Sequence, residues 1–232
     1  MRAGHGVIRA VIIDLDGTML DTVPDFHAAI NQMGAELQLA PVSAATIKDL
    51  VGKGSENLIR GVLAISHDSA GVEGLLPGAM AAYQRHYLAI NGDHATLYDG
   101  VIEGLAAMQA MDLRMACVTN KPIAFARPLL EKMGLAAYFE IVYGGECLPR
   151  KKPDPMPMLQ VCADFDLAPA EVVAIGDSSN DAEAARAAGC CVLAVPYGYN
   201  HGRSIHEADS DGIVDSLLEA ASLISSHNRT AN

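Results

Sequence analysis

Val11-Ile12-Ile13-Asp14-Leu15-Asp16-Gly17-Thr18-Met19-Leu20-Asp21 is the stretch whose reading decides the fold. An apolar, β-branched run without polar alternation reads as a strand buried on both faces, as in parallel sheets. It stops abruptly at two acids flanking one leucine, and Gly17 lets the backbone leave the strand sharply. Open α/β sheets hold their ligands beyond the carboxyl ends of the strands, so chemistry is expected here. On a continuing strand Asp14 and Asp16 would point to opposite faces; the break at Gly17-Thr18 lets them share one site. Two such carboxylates repel and call for a partner, which a hard, oxygen-seeking cation such as Mg²⁺ supplies. The competing reading is a strand followed by an acidic turn.

Working outward, a normal crossover would reach a second strand within a few dozen residues. Here only helical patterns run from Pro24 to about Ile90: Asp25 to Leu39, Ser43 to Leu50, Ser55 to Ile65 and Val72 to Ile90. Ser43 and Ser55 are candidate N-caps. A small all-helical body over residues 23–94 is therefore expected as an insertion into a core made of residues 1–22 and 95–232. Its two connections fall at Asp21 to Pro24 and Gly92 to Gly100, where glycine, proline and aspartate punctuate the chain, and together they make a hinge.

From Val101 the alternation resumes. Helix to Met111, strand Arg114 to Thr119, helix Ile123 to Met133 and strand Ile141 to Tyr143 are expected, then helix Met156 to Phe165 and strand Val172 to Ile175. Helix Asp181 to Ala188, strand Cys190 to Val195, a short strand at Ile213-Val214 and a closing helix complete the chain, with Ser225 to Asn232 frayed. That order predicts an α/β fold with a doubly wound parallel, Rossmann-like sheet.

Composition bounds the function. The 232 residues are half apolar, enough for a sizeable core, and carry 16 basic against 28 acidic side chains for a net charge of −12. A broad nucleic-acid or anionic-membrane surface is thereby disfavoured, and an anionic substrate has to be drawn in by a local cluster or a metal. Cys117, Cys147, Cys162, Cys190 and Cys191 lack C-x-x-C spacing and fall mostly in apolar segments, so they read as buried thiols of a reducing compartment. Met1 to Gly6 has no apolar core of a signal peptide, and no stretch approaches the ~18 apolar residues of a membrane span. A cytoplasmic enzyme, monomer or homodimer, fits these features.

The other strand ends are as informative as the first. Thr119-Asn120-Lys121 follows one strand, Gly176-Asp177-Ser178-Ser179-Asn180-Asp181 another, and Arg150-Lys151-Lys152-Pro153 enters a helix. Taken singly, these read equally as a helix cap, an acidic turn and a solvated basic pair. Together they meet the needs of phosphate-ester hydrolysis: charge neutralisation, an in-line nucleophile and a proton for the leaving alcohol. Asp14 can attack phosphorus to give an aspartyl-phosphate, and Asp16 can protonate the departing oxygen. Asp14, Asp177 and the backbone carbonyl of Asp16 can hold Mg²⁺, Lys152 can screen the phosphate from the other side, and Thr119 and Asn120 can donate to its oxygens.

Asp14-Leu15-Asp16-Gly17-Thr18, Thr119, Lys152-Pro153-Asp154-Pro155 and Gly176-Asp177-Ser178-Ser179-Asn180-Asp181 resemble, in order, the four motifs of the haloacid dehalogenase superfamily of phosphotransferases. The resemblance implies Asp14 as nucleophile, Asp16 as acid and base, Lys152 as the motif lysine, and Asp177 as metal ligand with Asp181 supporting. It also implies that the helical insertion is a cap of the first type, closing over small substrates. Leu20-Asp21-Thr22-Val23-Pro24-Asp25, Val51-Gly52-Lys53-Gly54 and Tyr197-Gly198-Tyr199-Asn200-His201-Gly202 are similar to the superfamily's bacterial phosphoglycolate phosphatases, which implies a small phosphate ester, 2-phosphoglycolate, as substrate.

On that reading Lys53, carried with Gly52 in a cap loop, pairs with the substrate carboxylate; the other reading is a solvent-facing loop lysine. The Tyr197 to Gly202 segment reads either as a site-edge loop presenting His201 or as structural. Sugar-phosphate hydrolysis and phosphosugar mutation use the same core. A Schiff base on Lys53, as in phosphonoacetaldehyde hydrolases, fits less well, because carbon–phosphorus cleavage needs no acid at Asp16. From another class, a non-catalytic phosphometabolite sensor would not require both Asp14 and Asp16.

Overall fold

A computed structural model describes residues 6–231; the readings made of Met1 to His5 and of Asn232 lie outside it. Six parallel strands form one sheet in the order β5-β4-β1-β6-β7-β8. They are β1 (Ala10–Ile13), β4 (Arg114–Val118), β5 (Ile141–Tyr143), β6 (Val172–Gly176), β7 (Cys191–Ala194) and β8 (Gly212–Ile213). β1 is buried along its whole length, as its unbroken apolar run requires. Val11 and Ile13 face the layer made by α5 (Val101–Ala110), α6 (Ile123–Lys132) and α9 (Leu217–Ala231); Ala10 and Ile12 face α7 (Met156–Phe165) and α8 (Ser179–Ala188). The sheet is thus doubly wound. In register, Ile13 lies opposite Cys117 on one side and Ile175 on the other, so Asp14, Thr119 and Asp177 emerge on one edge.

Between β1 and β4 the chain makes α1 (Val23–Glu36), α2 (Ala44–Leu50), α3 (Ser55–Leu63) and α4 (Ser69–Ile90). Their apolar faces close a separate core in which Phe26, Ile30 and Met33 meet Ile59, Leu63, Tyr83 and Tyr87. Phe125 of α6 and Tyr199, from beyond β7, enter this cluster from the sheet side. The buried carboxylate of Asp25, on the first turn of α1, accepts from the amides of Gly92 (2.7 Å) and His94 (2.8 Å). It thereby ties the two connections together.

Several expectations need correction. The two connections pair as a short antiparallel ribbon, β2 (Leu20–Asp21) with β3 (Thr96–Leu97); two residues per strand are too few to leave a periodic pattern. Ser43 caps α2 by accepting from the Thr46 amide at 3.1 Å, but Gly54, at φ 87°, holds the N-cap of α3, and Ser55 begins the helix. α4 begins at Ser69 because Asp68 caps it through the Gly71 amide, 2.9 Å away. α9 continues to Ala231 where fraying was expected, with Asn228 holding the backbone of Ile8 at 2.7 and 2.8 Å. Four cysteines are buried, while Cys147 is exposed; all five are free thiols. No helix among the described residues is long and apolar enough to cross a membrane.

Candidate active site

Asp14 leaves the end of β1 with only 12% of its side chain exposed, facing an ammonium and two further acids. Lys152 Nζ, nearly fully buried, donates to the Val118 carbonyl (2.6 Å) and to Asp181 Oδ1 (2.6 Å). It also lies 2.8 Å from Asp14 Oδ1, an ion pair whose angle falls short of a hydrogen bond, so that oxygen has no aligned donor. Asp181 is fixed in the first turn of α8, where Ser178 donates to its Oδ2 through both amide (3.2 Å) and hydroxyl (2.6 Å). Asp177 accepts from the Thr18 hydroxyl at 3.0 Å and from the Tyr199 amide. Gly17, at φ 85°, brings the turn after β1 so close that a Cβ there would sit 2.2 Å from Asp177 Oδ2.

One carboxylate oxygen from each of Asp14, Asp177 and Asp181 lies within 4.8 Å of the others. Burial first, then the neighbouring charges, set the protonation of Asp14 and Asp177. Burial pushes Asp14 up to about 7, with Asp181 adding to the rise and Lys152 opposing it. Asp177 is raised well above the ordinary range by burial, then by Asp181 and Asp14. Burial works against the charge on Lys152, but Asp14 and Asp181 outweigh it and hold the ammonium's pKa above normal.

Asp16 stands apart from that cluster. Its Oδ1 accepts from the Thr22 hydroxyl (2.7 Å) and from Lys121 Nζ (2.9 Å), leaving Oδ2 for a proton. Lys121 is itself buried; it donates to the Tyr87 hydroxyl at 2.6 Å and lies over the rings of Phe26 and Tyr87. Thr119 Oγ1 accepts from the Lys121 amide (3.1 Å), which keeps its own hydroxyl proton free to donate. Asn120 differs from expectation. Its side-chain nitrogen donates to the carbonyls of Gly52 and Lys152, both at 2.9 Å, so both of that nitrogen's donors brace the site.

The two residues expected in the helical body part company. Gly52, at φ 113°, lines the cavity beside Asp14, and its carbonyl takes a second bond from Asn180 at 3.2 Å. Lys53 is exposed and lies outside that cavity. The positive-φ glycines on either side turn it outward, and its carbonyl accepts from Lys151 Nζ at 2.8 Å. In the Tyr197 to Gly202 segment, the Tyr199 hydroxyl receives the Thr22 amide (2.8 Å) and donates to Asp21 (2.5 Å), while His201 Nε2 meets Asn180 at 3.1 Å. Tyr199 thereby joins the helical body's connection to the sheet edge, while Asn180 bridges His201 and the Gly52 carbonyl. The cavity between the two bodies is about 30 Å³.

The sequence profile of haloacid dehalogenase-like hydrolases matches residues 11–195, a span holding Asp14, Asp16, Thr119, Lys121, Lys152, Asp177 and Asp181. The chain belongs to this family. It is 49% identical over 221 residues to a phosphoglycolate phosphatase of Thiobacillus denitrificans, covering 94% of this chain and 96% of that one. A phosphoglycolate phosphatase of Nitrosospira multiformis is 49% identical over 217 residues with the same coverage. Among solved structures, a predicted phosphoglycolate phosphatase of Haemophilus somnus superposes with a TM-score of 0.88 at 28% identity, covering 95% of this chain and 99% of that one.

Within this haloacid dehalogenase-like site, a divalent cation fits. Three acids share one small volume, a single ammonium offsets them, and Asp14 Oδ1 lacks an aligned donor. Sequence reasoning singled out every member of that cluster. It gave no role to Lys121, Tyr87 or Thr22. The available signal for Lys121 was its place two residues after Thr119 at a strand end; nothing local marks Tyr87 as more than a core aromatic on α4.

Proposed function

We propose that this chain hydrolyses 2-phosphoglycolate to glycolate and phosphate through an aspartyl-phosphate on Asp14. The observation that carries this reading is the pairing of two acids two residues apart in different surroundings. Asp14 faces the ammonium and the acid cluster, whereas Asp16 faces Lys121 and Thr22. Identity near one half to phosphoglycolate phosphatases along almost the whole chain supports the substrate.

In the first displacement a carboxylate oxygen of Asp14 attacks phosphorus. The ester P–O bond breaks with its electron pair going to the alcohol oxygen, which takes the proton of Asp16. In the second, water attacks the phosphoryl group, Asp16 takes a water proton, and the P–O bond to Asp14 breaks to release phosphate. Lys152 holds charge against the phosphoryl oxygens throughout, and the Thr119 hydroxyl donates to them. Mg²⁺ bound by Asp14, Asp177 and the Asp16 carbonyl, with Asp181 supporting, would supply charge neutralisation.

The helical body, residues 23–94, acts as a cap on the core of residues 1–22 and 95–232. A cavity of about 30 Å³ holds only a few water-sized groups, so substrate enters by parting the bodies, and a small ester suits it better than a large one. Four buried free thiols and the net charge of −12 support a cytoplasmic enzyme acting on a small metabolite rather than on nucleic acid or a membrane. The test is phosphate release from 2-phosphoglycolate beside sugar phosphates, phosphonoacetaldehyde and pyrophosphate, with Mg²⁺ and with EDTA. A dominant, EDTA-sensitive kcat/KM for phosphoglycolate is expected. Preference for another ester overturns the substrate, and no release from any overturns the hydrolase.

A further inference from the structure

If the substrate carries a carboxylate, a cation must meet it, and Lys53 lies outside the cavity. Two ammonium groups line the cavity, those of Lys152 and Lys121. Lys152 already faces Asp14, Asp181 and the Val118 carbonyl. Lys121 comes from the loop between β4 and α6 and reaches away from the phosphate end into the helical body, with 2% of its side chain exposed. An ammonium has three donors. Those of Lys121 meet one carboxylate, Asp16 at 2.9 Å, and one neutral hydroxyl, Tyr87 at 2.6 Å, leaving one N–H for a ligand. The rings of Phe26 and Tyr87, with centroids 4.5 and 4.8 Å from the nitrogen, present their electron-rich faces to the ammonium and hold it in place.

Position completes the argument. The oxygen that leaves phosphorus has to reach Asp16 for its proton, and Lys121 sits beside Asp16. A group one carbon beyond that oxygen therefore falls next to the ammonium. We propose that Lys121 is the specificity-determining residue of this enzyme, binding the carboxylate of phosphomonoesters of α-hydroxy acids. This rests on the hydrolytic reading above and names which residue recognises the substrate. Tyr87 positions the ammonium from the cap side, so the carboxylate subsite is complete only when cap and core are together.

The test compares 2-phosphoglycolate with ethyl phosphate, which keeps the ester and replaces the carboxylate by a methyl group, in wild type, Lys121→Met and Lys121→Arg. Loss of the proton-donor's neighbour lowers turnover of both esters alike; loss of the carboxylate contact lowers only one, so the ratio of kcat/KM values isolates the subsite. We expect Lys121→Met to cut the phosphoglycolate-to-ethyl-phosphate ratio about 10²-fold or more, chiefly through KM. Lys121→Arg, which keeps the charge, retains part of the preference. Should the methionine variant not fold, Lys121→Gln gives the same ratio. An unchanged ratio in Lys121→Met, or in the glutamine variant if that one is used, overturns the subsite while leaving the hydrolase standing. A wild type with no preference for phosphoglycolate over ethyl phosphate overturns the substrate reading, and the subsite with it.

Discussion

Lys152→Met removes the one ammonium placed among three buried acids, and its cost follows from the geometry. Lys152 Nζ lies 2.6 Å from Asp181 and 2.8 Å from Asp14, with 2% of the side chain exposed. At an effective dielectric of about 20, each contact is worth roughly 6 kcal/mol of gross attraction, set against several kcal/mol per ion for leaving water. Methionine fills similar space but leaves the acids uncompensated, the situation in which breaking a buried pair costs about 3–5 kcal/mol. For a chain of this size that is a fall in Tm of roughly 6–20 °C. Urea unfolding in EDTA at pH 8 measures it. The penalty should shrink towards pH 5, because Asp14, raised to about 7, becomes neutral in the folded protein and needs the ammonium less. Added Mg²⁺ should recover part of the loss. A variant within ~1 kcal/mol of wild type at pH 8, or a penalty independent of pH, would refute the claim that these acids are charged and buried together.

Asp14→Asn should abolish phosphate release, and Asp16→Asn should slow it at least ~10²-fold, the scale of acid and base help; wild-type-like hydrolysis by either purified variant removes it from the mechanism. Asp14 also makes stability pH-dependent. Its carboxyl has an ordinary pKa of 3.8 and a folded value of about 7, so between these the unfolded chain has lost a proton the folded chain keeps. Metal-free stability from this group therefore falls as pH rises from about 4 to about 7, and Asp14→Asn gains on wild type across that window. A constant difference between the two in denaturant titrations contradicts the assignment. Gly52→Ala would place a Cβ 2.9 Å from the His201 ring at φ 113°. Strain of about 1–3 kcal/mol then falls on the closed loop, and kcat/KM for phosphoglycolate should drop roughly tenfold or more; unchanged kinetics would mean the loop does not close over substrate as described.

Much of the fold was legible because each strand carries its own signal. Val11 to Ile13, Met115 to Val118 and Val172 to Ile175 are apolar on both faces and lead into polar residues, so burial and the functional edge follow from local pattern. Asp14, Thr119, Lys152, Asp177 and Asp181 could be read for the same reason: each sits at a strand end or enters a helix, where a parallel sheet gathers its ends. The ribbon of β2 and β3 could not, since two residues have no period. What the chain alone determined is the sheet, the inserted helices and the acids at the sheet edge. Tertiary packing decided which lysine lines the cavity. Sequence pattern pointed to Lys53 and gave Lys121 no role, but positive-φ glycines turn the first outward. The second is held 105 residues away from its partner Asp16 by Phe26 and Tyr87, which only packing of the helical body against the sheet brings into reach.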